Sequence, residues 1–249
     1  MALRKRNDKP SLPEEFKINN NSVTDKSIIA NNFNEYFANI GPKTNQTIPI
    51  SEAKLIDYLP APLTMSMFLG PLDVFKVVET TNKLKTKTSS RYDEISTKLL
   101  KETIHNISTL LTHIINQSFQ TGLVPTQMKI AKVVPVYKAS DCSLLTNYCP
   151  IKLLTSFSKL LEKLMYDKVI KILTINNIFY EHQYGFRPKH YTIHPIIHLL
   201  NKCAESNNKR KKEITLAVFC DISKAFDIIS NNIFLRKLNN YGVRGIINT

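Results

Sequence analysis

The segment FCDISKAFD, residues 219–227, carries two aspartates, Asp221 and Asp227, directly after the alternating apolar run TLAVF. This alternation predicts a strand over 214–221, with Asp221 at its end and on the same face as Phe219. An ionised carboxylate beside an apolar layer is costly to desolvate unless it is hydrogen-bonded or holds a cation. Asp221 is therefore a candidate ligand for a divalent ion, and an aspartate that caps a turn or helix is the alternative.

Three histidines form a second set of candidate ligands. His190, His194 and His198 are spaced so that one helix face could carry all three, as paired histidines do in zinc sites. Pro195 disturbs a helix at this point unless it lies in the first turn, and no cysteine or carboxylate is suitably placed nearby. Histidines at the surface, or facing phosphate, are therefore favoured over a zinc site.

The charge of the chain points to a polyanionic partner. Its 249 residues include 34 Lys plus Arg against 20 Asp plus Glu, a formal net charge of +14, which favours nucleic acid over a membrane surface. No apolar run approaches the roughly 18 residues of a membrane helix. Four scattered cysteines, with no C-x-x-C pair and no secretory leader, predict a reduced intracellular protein, nuclear or cytoplasmic. The basic start MALRKRNDKP is a solvated tail or a nuclear address.

The elements that must position these residues are mostly helical. In residues 22–41 the apolar positions recur at helical spacing, with Thr24 or Asp25 as the cap and Gly41 as the expected end. The run 129–138 contains Pro135 and predicts an edge strand or one arm of a hairpin. Its partner is expected near 149–154, and further helices are expected over 73–84, 96–120, 157–173, 192–205 and 231–240.

Six segments occur in one order along most of the chain. They are IANNFNEYFANIG, SSRYDEISTKLLK, KIAKVVPVYKASD, NYCPIKLLTSFSKLLEK, HQYGFRPKHYTIHPI and FCDISKAFD. In this order they resemble the reverse transcriptase domain of LINE-type, non-LTR retrotransposons, the jockey-like group in particular. The last two are similar to the family motifs Q-Y-G-F-R-x-x-H-S-T and D-x-S-K-A-F-D.

The resemblance implies an α+β fold, helix-rich, with the fingers and the beginning of the palm of a right-hand polymerase. The chain is expected to end before the catalytic A-D-D hairpin and the thumb. The expected domains are a disordered basic lead-in over 1–21, a connector with an amphipathic helix over 22–71, the fingers region over 72–205, and the start of the palm over 206–249.

The resemblance also assigns roles to single residues. Asp221 would be a catalytic, metal-binding aspartate, and the backbone carbonyl of Ile222 would add a second ligand to Mg²⁺. Two Mg²⁺ ions are expected in the intact enzyme, and the site is incomplete here. Phe226 would lie under the incoming sugar and exclude a 2′-hydroxyl, and Lys138 would reach the triphosphate. Template or primer would lie near Gln183, Gly185 and Arg187, for which surface cations and a turn glycine are the ordinary alternatives.

The chain departs from the family pattern at several positions. Cys149 stands where the family has an arginine that would clamp the triphosphate, and a thiol cannot replace a guanidinium group. This change predicts weakened nucleotide binding. Arg91 and Glu94 replace two glycines of the family, and Tyr191 replaces a serine.

The implied function is that of a fragment of a retrotransposon reverse transcriptase. In the intact protein it would extend a DNA primer on an RNA template from deoxynucleotides by two-metal nucleotidyl transfer. Since the further acidic pair of the family does not occur in this chain, the fragment is expected to be inactive alone. Asp227 lies too far along the turn to replace that pair and is expected to cap local backbone. A non-catalytic nucleic-acid-binding remnant is the alternative, and a product that folds poorly is a further one.

Overall fold

The computed structural model describes residues 12–19, 21–47, 55–87, 92–138, 140–207, 214–222, 225–226 and 228–248. Helices and strands alternate irregularly along these residues, so the fold is α+β, as expected. Its helices are α1 (Lys26–Thr47), α2 (Val74–Lys83), α3 (Thr97–Thr121), α4 (Thr126–Lys129), α5 (Ser156–Ile175), α6 (Ile193–Asn207) and α7 (Asn231–Asn240). Its strands are β1 (Phe16–Ile18), β2 (Asn21–Val23), β3 (Ala131–Tyr137) and β4 (Tyr148–Leu154), and short 3-10 helices cover Leu55–Tyr58, Leu145–Asn147 and Gly245–Asn248.

The main core lies between α2, α3 and α5, three of the helices that the apolar spacing predicts. Each begins at a residue whose side chain accepts a hydrogen bond from the first turn: Asp73, Ser96 and Thr155. α3 ends at Gly122, whose φ of 72° is the left-handed conformation that glycine adopts without strain. The buried side chains of this core are Val77, Leu100, Ile104, Leu111, Ile115, Phe119, Leu160, Leu161 and Leu164.

A polar seam joins the start of α5 to the elements around it. Thr97 and Ser156 are both buried, and their hydroxyl oxygens lie 3.2 Å apart. The Ser156 hydroxyl donates to the carbonyl of Ile95 at 3.1 Å, and the Ser158 hydroxyl donates to the carbonyl of Met128 at 2.7 Å. These buried hydroxyls all find partners, so the seam fixes the position of the first turn of α5.

The strand with Pro135 and its partner form the expected hairpin. β3 and β4 pair antiparallel from Ala131 opposite Leu154 to Tyr137 opposite Tyr148. Pro135 lies opposite Pro150, so the two residues without an N–H share one rung of the ladder. The prediction of a hairpin arm over 129–138 with a partner near 149–154 is confirmed.

A second, smaller core corrects the expectation of a disordered lead-in up to residue 21. β1 pairs antiparallel with β2, and Phe16 is only 1% exposed. Its ring contacts Phe33 of α1 at 5.3 Å and Tyr148 of β4 at 5.7 Å between centroids. The buried Phe16 ring therefore holds in place a polar segment whose composition alone suggests disorder. Residues 1–11 of the expected lead-in lie outside the described ranges.

Helix α1 also departs from the prediction at its end. The carboxylate of Asp25 accepts hydrogen bonds from the N–H groups of Ser27 and Ile28, as expected for a cap. The helix does not end at Gly41 but continues through Pro42 to Thr47. Gly41 does not have the positive φ that ends a helix at glycine, so the residue type alone was misleading.

The strand expected over 214–221 is wrong for this structure. Residues 214–222 have no regular secondary structure, and Ile214 and Phe219 are 98% and 85% exposed. An alternating apolar pattern becomes a strand only when another strand pairs with it, and no described residue does so. Asp221 is therefore exposed instead of lying beside a buried layer.

The connector packs against the end of α7, which stops at Tyr241 and Gly242 as expected. The carbonyl of Gly242 accepts a hydrogen bond from the Met67 N–H at 2.7 Å, and Arg244 donates to the carbonyl of Leu63. Gly242 has a φ of 85°, and a Cβ there would lie 2.6 Å from the carbonyl oxygen of Met65. Glycine is required at this close approach. No helix in the described part of the chain is long and apolar enough to span a membrane.

Candidate active site

Lys138 and Cys149 lie on one face of the β3–β4 hairpin. Lys138 follows β3 directly, is exposed, and donates its backbone N–H to the carbonyl of Asn147 at 2.9 Å. Cys149 is exposed and lies opposite Val136, which is two residues before Lys138. Because side chains alternate along a strand, Lys138, Val136 and Cys149 share a face. The hairpin thus places the candidate lysine beside the position where the family has an arginine.

The loop that joins β3 to β4 is organised around Asp141. Its carboxylate accepts hydrogen bonds from the Ser143 hydroxyl at 2.7 Å and the Ser143 N–H at 2.9 Å, and Lys17 donates to it at 3.3 Å. The hydrogen bonds from Ser143, and then Lys17, hold the pKa of Asp141 below its ordinary value. The carboxylate therefore stays ionised at neutral pH and keeps the loop closed after Lys138.

Tyr148, the first residue of β4, also holds this loop in place. It is 4% exposed, and its hydroxyl donates to the carbonyl of Cys142 at 2.7 Å. Burial raises the pKa of Tyr148 above its ordinary value. The hydroxyl therefore remains protonated and can donate throughout the ordinary pH range.

Gln183, Gly185 and Arg187 lie in one loop between α5 and α6. The Gln183 side chain donates to the carbonyl of Gly185 at 3.2 Å, and Arg187 Nη1 donates to the carbonyl of Tyr180 at 3.0 Å. The Arg187 guanidinium also lies 5.4 Å from the centroid of the Phe179 ring. In this structure the arginine therefore holds the loop together, and its expected contact with template or primer is untested.

Gly185 has open space around it. A Cβ built on Gly185 would meet no atom within 4 Å, and the residue is exposed. The fold itself therefore does not require glycine here. The expected role of Gly185 near template or primer stays a prediction.

The rings of Phe186 and Phe226 bring two separate motifs into contact. Their centroids are 5.9 Å apart with an interplanar angle of 86°, an edge-to-face arrangement. Both rings remain largely in solvent, at 84% and 76% exposure. Sequence reasoning misses Phe186, although its place between Gly185 and Arg187 in the loop was a usable signal. The contact puts the QYGFR segment next to the segment that contains Phe226, the ring expected to lie under the incoming sugar.

Asp221 and Ile222 lie just before Phe226, and both are exposed. A carboxylate and a backbone carbonyl are oxygen ligands of the kind that Mg²⁺ prefers, but octahedral coordination needs more than two. Within the described ranges, no group of three His, Cys, Asp or Glu side chains is arranged to hold a metal ion. These residues fit one side of a magnesium site and do not fit a complete one. Asp227 lies outside the described residues.

The three histidines of the zinc hypothesis surround a tyrosine. The Tyr184 ring centroid lies 6.3 Å from that of His190, 6.5 Å from His194 and 6.2 Å from His198. The three imidazoles thus pack around an aromatic ring, and they are not among any group of three metal-binding side chains in the described residues. This geometry favours ring packing over metal coordination.

Comparison with known proteins identifies the family. Residues 136–249 match the family model described as reverse transcriptase (RNA-dependent DNA polymerase). The chain is 30% identical over 184 residues to the probable RNA-directed DNA polymerase from transposon BS of Drosophila melanogaster. Residues 136–249 of the chain belong to the reverse transcriptase family.

Two further relatives are similar to the chain at lower identity. The chain is 25% identical over 172 residues to the RNA-directed DNA polymerase from mobile element jockey of Drosophila melanogaster, and 27% identical over 172 residues to the probable RNA-directed DNA polymerase from transposon X-element. The match to the transposon BS protein covers 74% of this chain and 20% of the relative, and the two others cover 69% and 19%. The chain is similar to jockey-like reverse transcriptases and spans about a fifth of the length of these proteins.

Proposed function

We propose that this chain supplies the fingers and the first palm aspartate of a LINE-type RNA-directed DNA polymerase. The intact protein would extend a DNA primer on an RNA template by two-metal nucleotidyl transfer. Asp221 and the carbonyl of Ile222 would supply part of the Mg²⁺ coordination, and Phe226 would select deoxynucleotides. The contact between Phe186 and Phe226 is the observation that supports the proposal, because it joins the loop of Gln183, Gly185 and Arg187 to the segment that follows Asp221.

The 249-residue polypeptide by itself is proposed to bind nucleic acid without extending a primer. Its net charge of +14 supports binding to phosphate, and the described residues assemble no group of three metal-binding side chains. A polymerase site holds two metal ions about 4 Å apart with carboxylates from more than one segment. Asp221 alone cannot provide that arrangement.

Two measurements on the purified chain test this proposal. Fluorescence anisotropy with a labelled RNA template annealed to a DNA primer is expected to show binding whose log affinity falls linearly with log salt. Addition of Mg²⁺ and deoxynucleotides is expected to leave the primer unextended. A flat salt response, no binding at low salt, or extension above a protein-free blank would each contradict the proposal.

A non-catalytic nucleic-acid-binding remnant is the second candidate function, and Cys149 favours it. The loss of the arginine at this exposed position removes a group that would hold the triphosphate, while the cationic surface is retained. This candidate predicts that deoxynucleoside triphosphates do not change the affinity for primer and template. An increase in that affinity on adding the nucleotide that pairs with the template would favour the first candidate.

A further inference from the structure

Aromatic and imidazole rings form a continuous row in the segment that leads into α6. Tyr184 lies in its middle, within 6.5 Å of the ring centroids of His190, His194 and His198. All four of these side chains are half-buried. They form the inner part of what is called here the ring row, residues 180–198.

An exposed tyrosine lies at each end of the ring row. Tyr180 contacts His182 at 5.3 Å between centroids, and His182 contacts His198 at 4.8 Å. At the other end Tyr191 contacts His194 at 5.5 Å and donates its backbone N–H to His194 Nδ1 at 3.2 Å. Tyr180 and Tyr191 are 68% and 66% exposed. The inner rings therefore support two tyrosines that stand in solvent.

The surroundings of the ring row are uncovered and positively charged. α6 contains no buried residue, so this side of the segment is open. Arg187 and Lys189 lie within the segment, and the carboxylate Oε1 of its acidic residue, Glu181, lies 3.1 Å from His182 Nε2. Exposed aromatic rings beside cations on a chain of net charge +14 are complementary to a ligand that has both flat apolar faces and negative charge.

We propose that the ring row stacks the unpaired bases of a single-stranded nucleic acid, with Tyr180 and Tyr191 as the two stacking residues. Every base offers a face to an aromatic ring, so such stacking tolerates any sequence, while Arg187 and Lys189 serve the phosphates. Tyr191 stands where the family motif quoted above has a serine. The inference rests on the proposed function, because the strand that it binds is the unpaired template.

Alanine at Tyr180 and Tyr191 tests the inference in the full 249-residue chain. The probe is a labelled heteropolymeric RNA strand without secondary structure, measured by fluorescence anisotropy over a range of salt concentrations. Each substitution is expected to lower affinity about 5- to 150-fold, the range given by loss of one stacked base. The slope of log affinity against log salt should not change, because no cation is removed. Tyr180→Phe and Tyr191→Phe should keep wild-type affinity.

Controls separate stacking from other effects. Tyr58→Ala removes a tyrosine that is 76% exposed elsewhere on the surface, and it should leave affinity unchanged. A strand of the same length made of abasic sugar-phosphate, and a blunt duplex, should bind the wild type and both alanine variants equally. Wild-type binding with unchanged affinity in the Tyr180 and Tyr191 variants would overturn this inference and leave the proposed function standing. Absence of any binding by the wild type would overturn both.

Discussion

Replacement of Cys149 by arginine tests whether the face of the β3–β4 hairpin that carries Lys138 is built for a triphosphate. Cys149 lies opposite Val136, and Lys138 follows two residues later on the same face. Diagonal neighbours on an antiparallel pair are about 7–8 Å apart at their Cα atoms. An arginine at 149 and the lysine at 138 could therefore bind one polyphosphate together.

The size of the effect follows from the exposure of the site. A hydrogen bond to a charged group contributes about 1.5–3 kcal/mol when shielded from water. Because Cys149 and Lys138 are both exposed, about 1 kcal/mol is the appropriate gain, or roughly a fivefold increase in affinity. An exposed strand residue away from the core changes the free energy of unfolding by about 0.5 kcal/mol or less. The Cys149→Arg variant is therefore expected to bind better and melt at an unchanged temperature.

The assay is a titration of each variant with deoxynucleoside triphosphate, followed by NMR. Ile151→Arg is the matched control, because Ile151 is 46% exposed and lies on the same face but further from Lys138. The gain in Cys149→Arg should disappear when Lys138 is also replaced by alanine. An equal gain in Ile151→Arg would show that net charge alone is responsible and would refute the proposed pairing.

Further expected outcomes concern packing and pH. Gly245→Ala should cost about 1–2 kcal/mol because of its φ of 64°, and Gly242→Ala should cost clearly more because its Cβ would also meet the Met65 carbonyl. The melting temperature should therefore fall by about 2–4 °C for each kcal/mol lost, and it should fall further in Gly242→Ala than in Gly245→Ala. Equal decreases in the two variants would contradict the packing of the connector against Gly242. The stabilisation from ionised Asp141 should be complete above its ordinary pKa and disappear as pH falls through its lowered one. NMR titration should place the Asp141 pKa higher in Ser143→Ala than in wild type, and an unchanged pKa would exclude the Ser143 hydroxyl as a cause of the lowered value.

Sequence periodicity predicted the helices of the main core because the signals for each helix lie within its own residues. α2, α3 and α5 each combine an apolar stripe with a capping side chain, and both signals lie within a few turns. The β3–β4 hairpin was predictable for a similar reason, since its two strands are close in sequence. Local patterns are sufficient where the interacting residues are near neighbours.

Contacts between distant segments were not predictable from these patterns. Phe16 is buried only because Phe33 and Tyr148 come from two other elements to cover it. The run 214–221 alternates like a strand, but pairing depends on a partner that its own residues cannot specify. The same limit applies to Phe186 and Phe226, whose contact joins two motifs that the sequence identifies only separately.

The most direct test of the central claim is site-specific photo-crosslinking to primer and template. A photoreactive phenylalanine analogue is placed at position 186 or 226, and Phe68, which is 84% exposed like Phe186, provides the control position. If the two motifs form one nucleic-acid surface, both positions should crosslink to the same labelled primer-template, and position 68 should not. Crosslinking from position 68 at the same yield, or none from positions 186 and 226 under conditions where the chain binds, would contradict the claim.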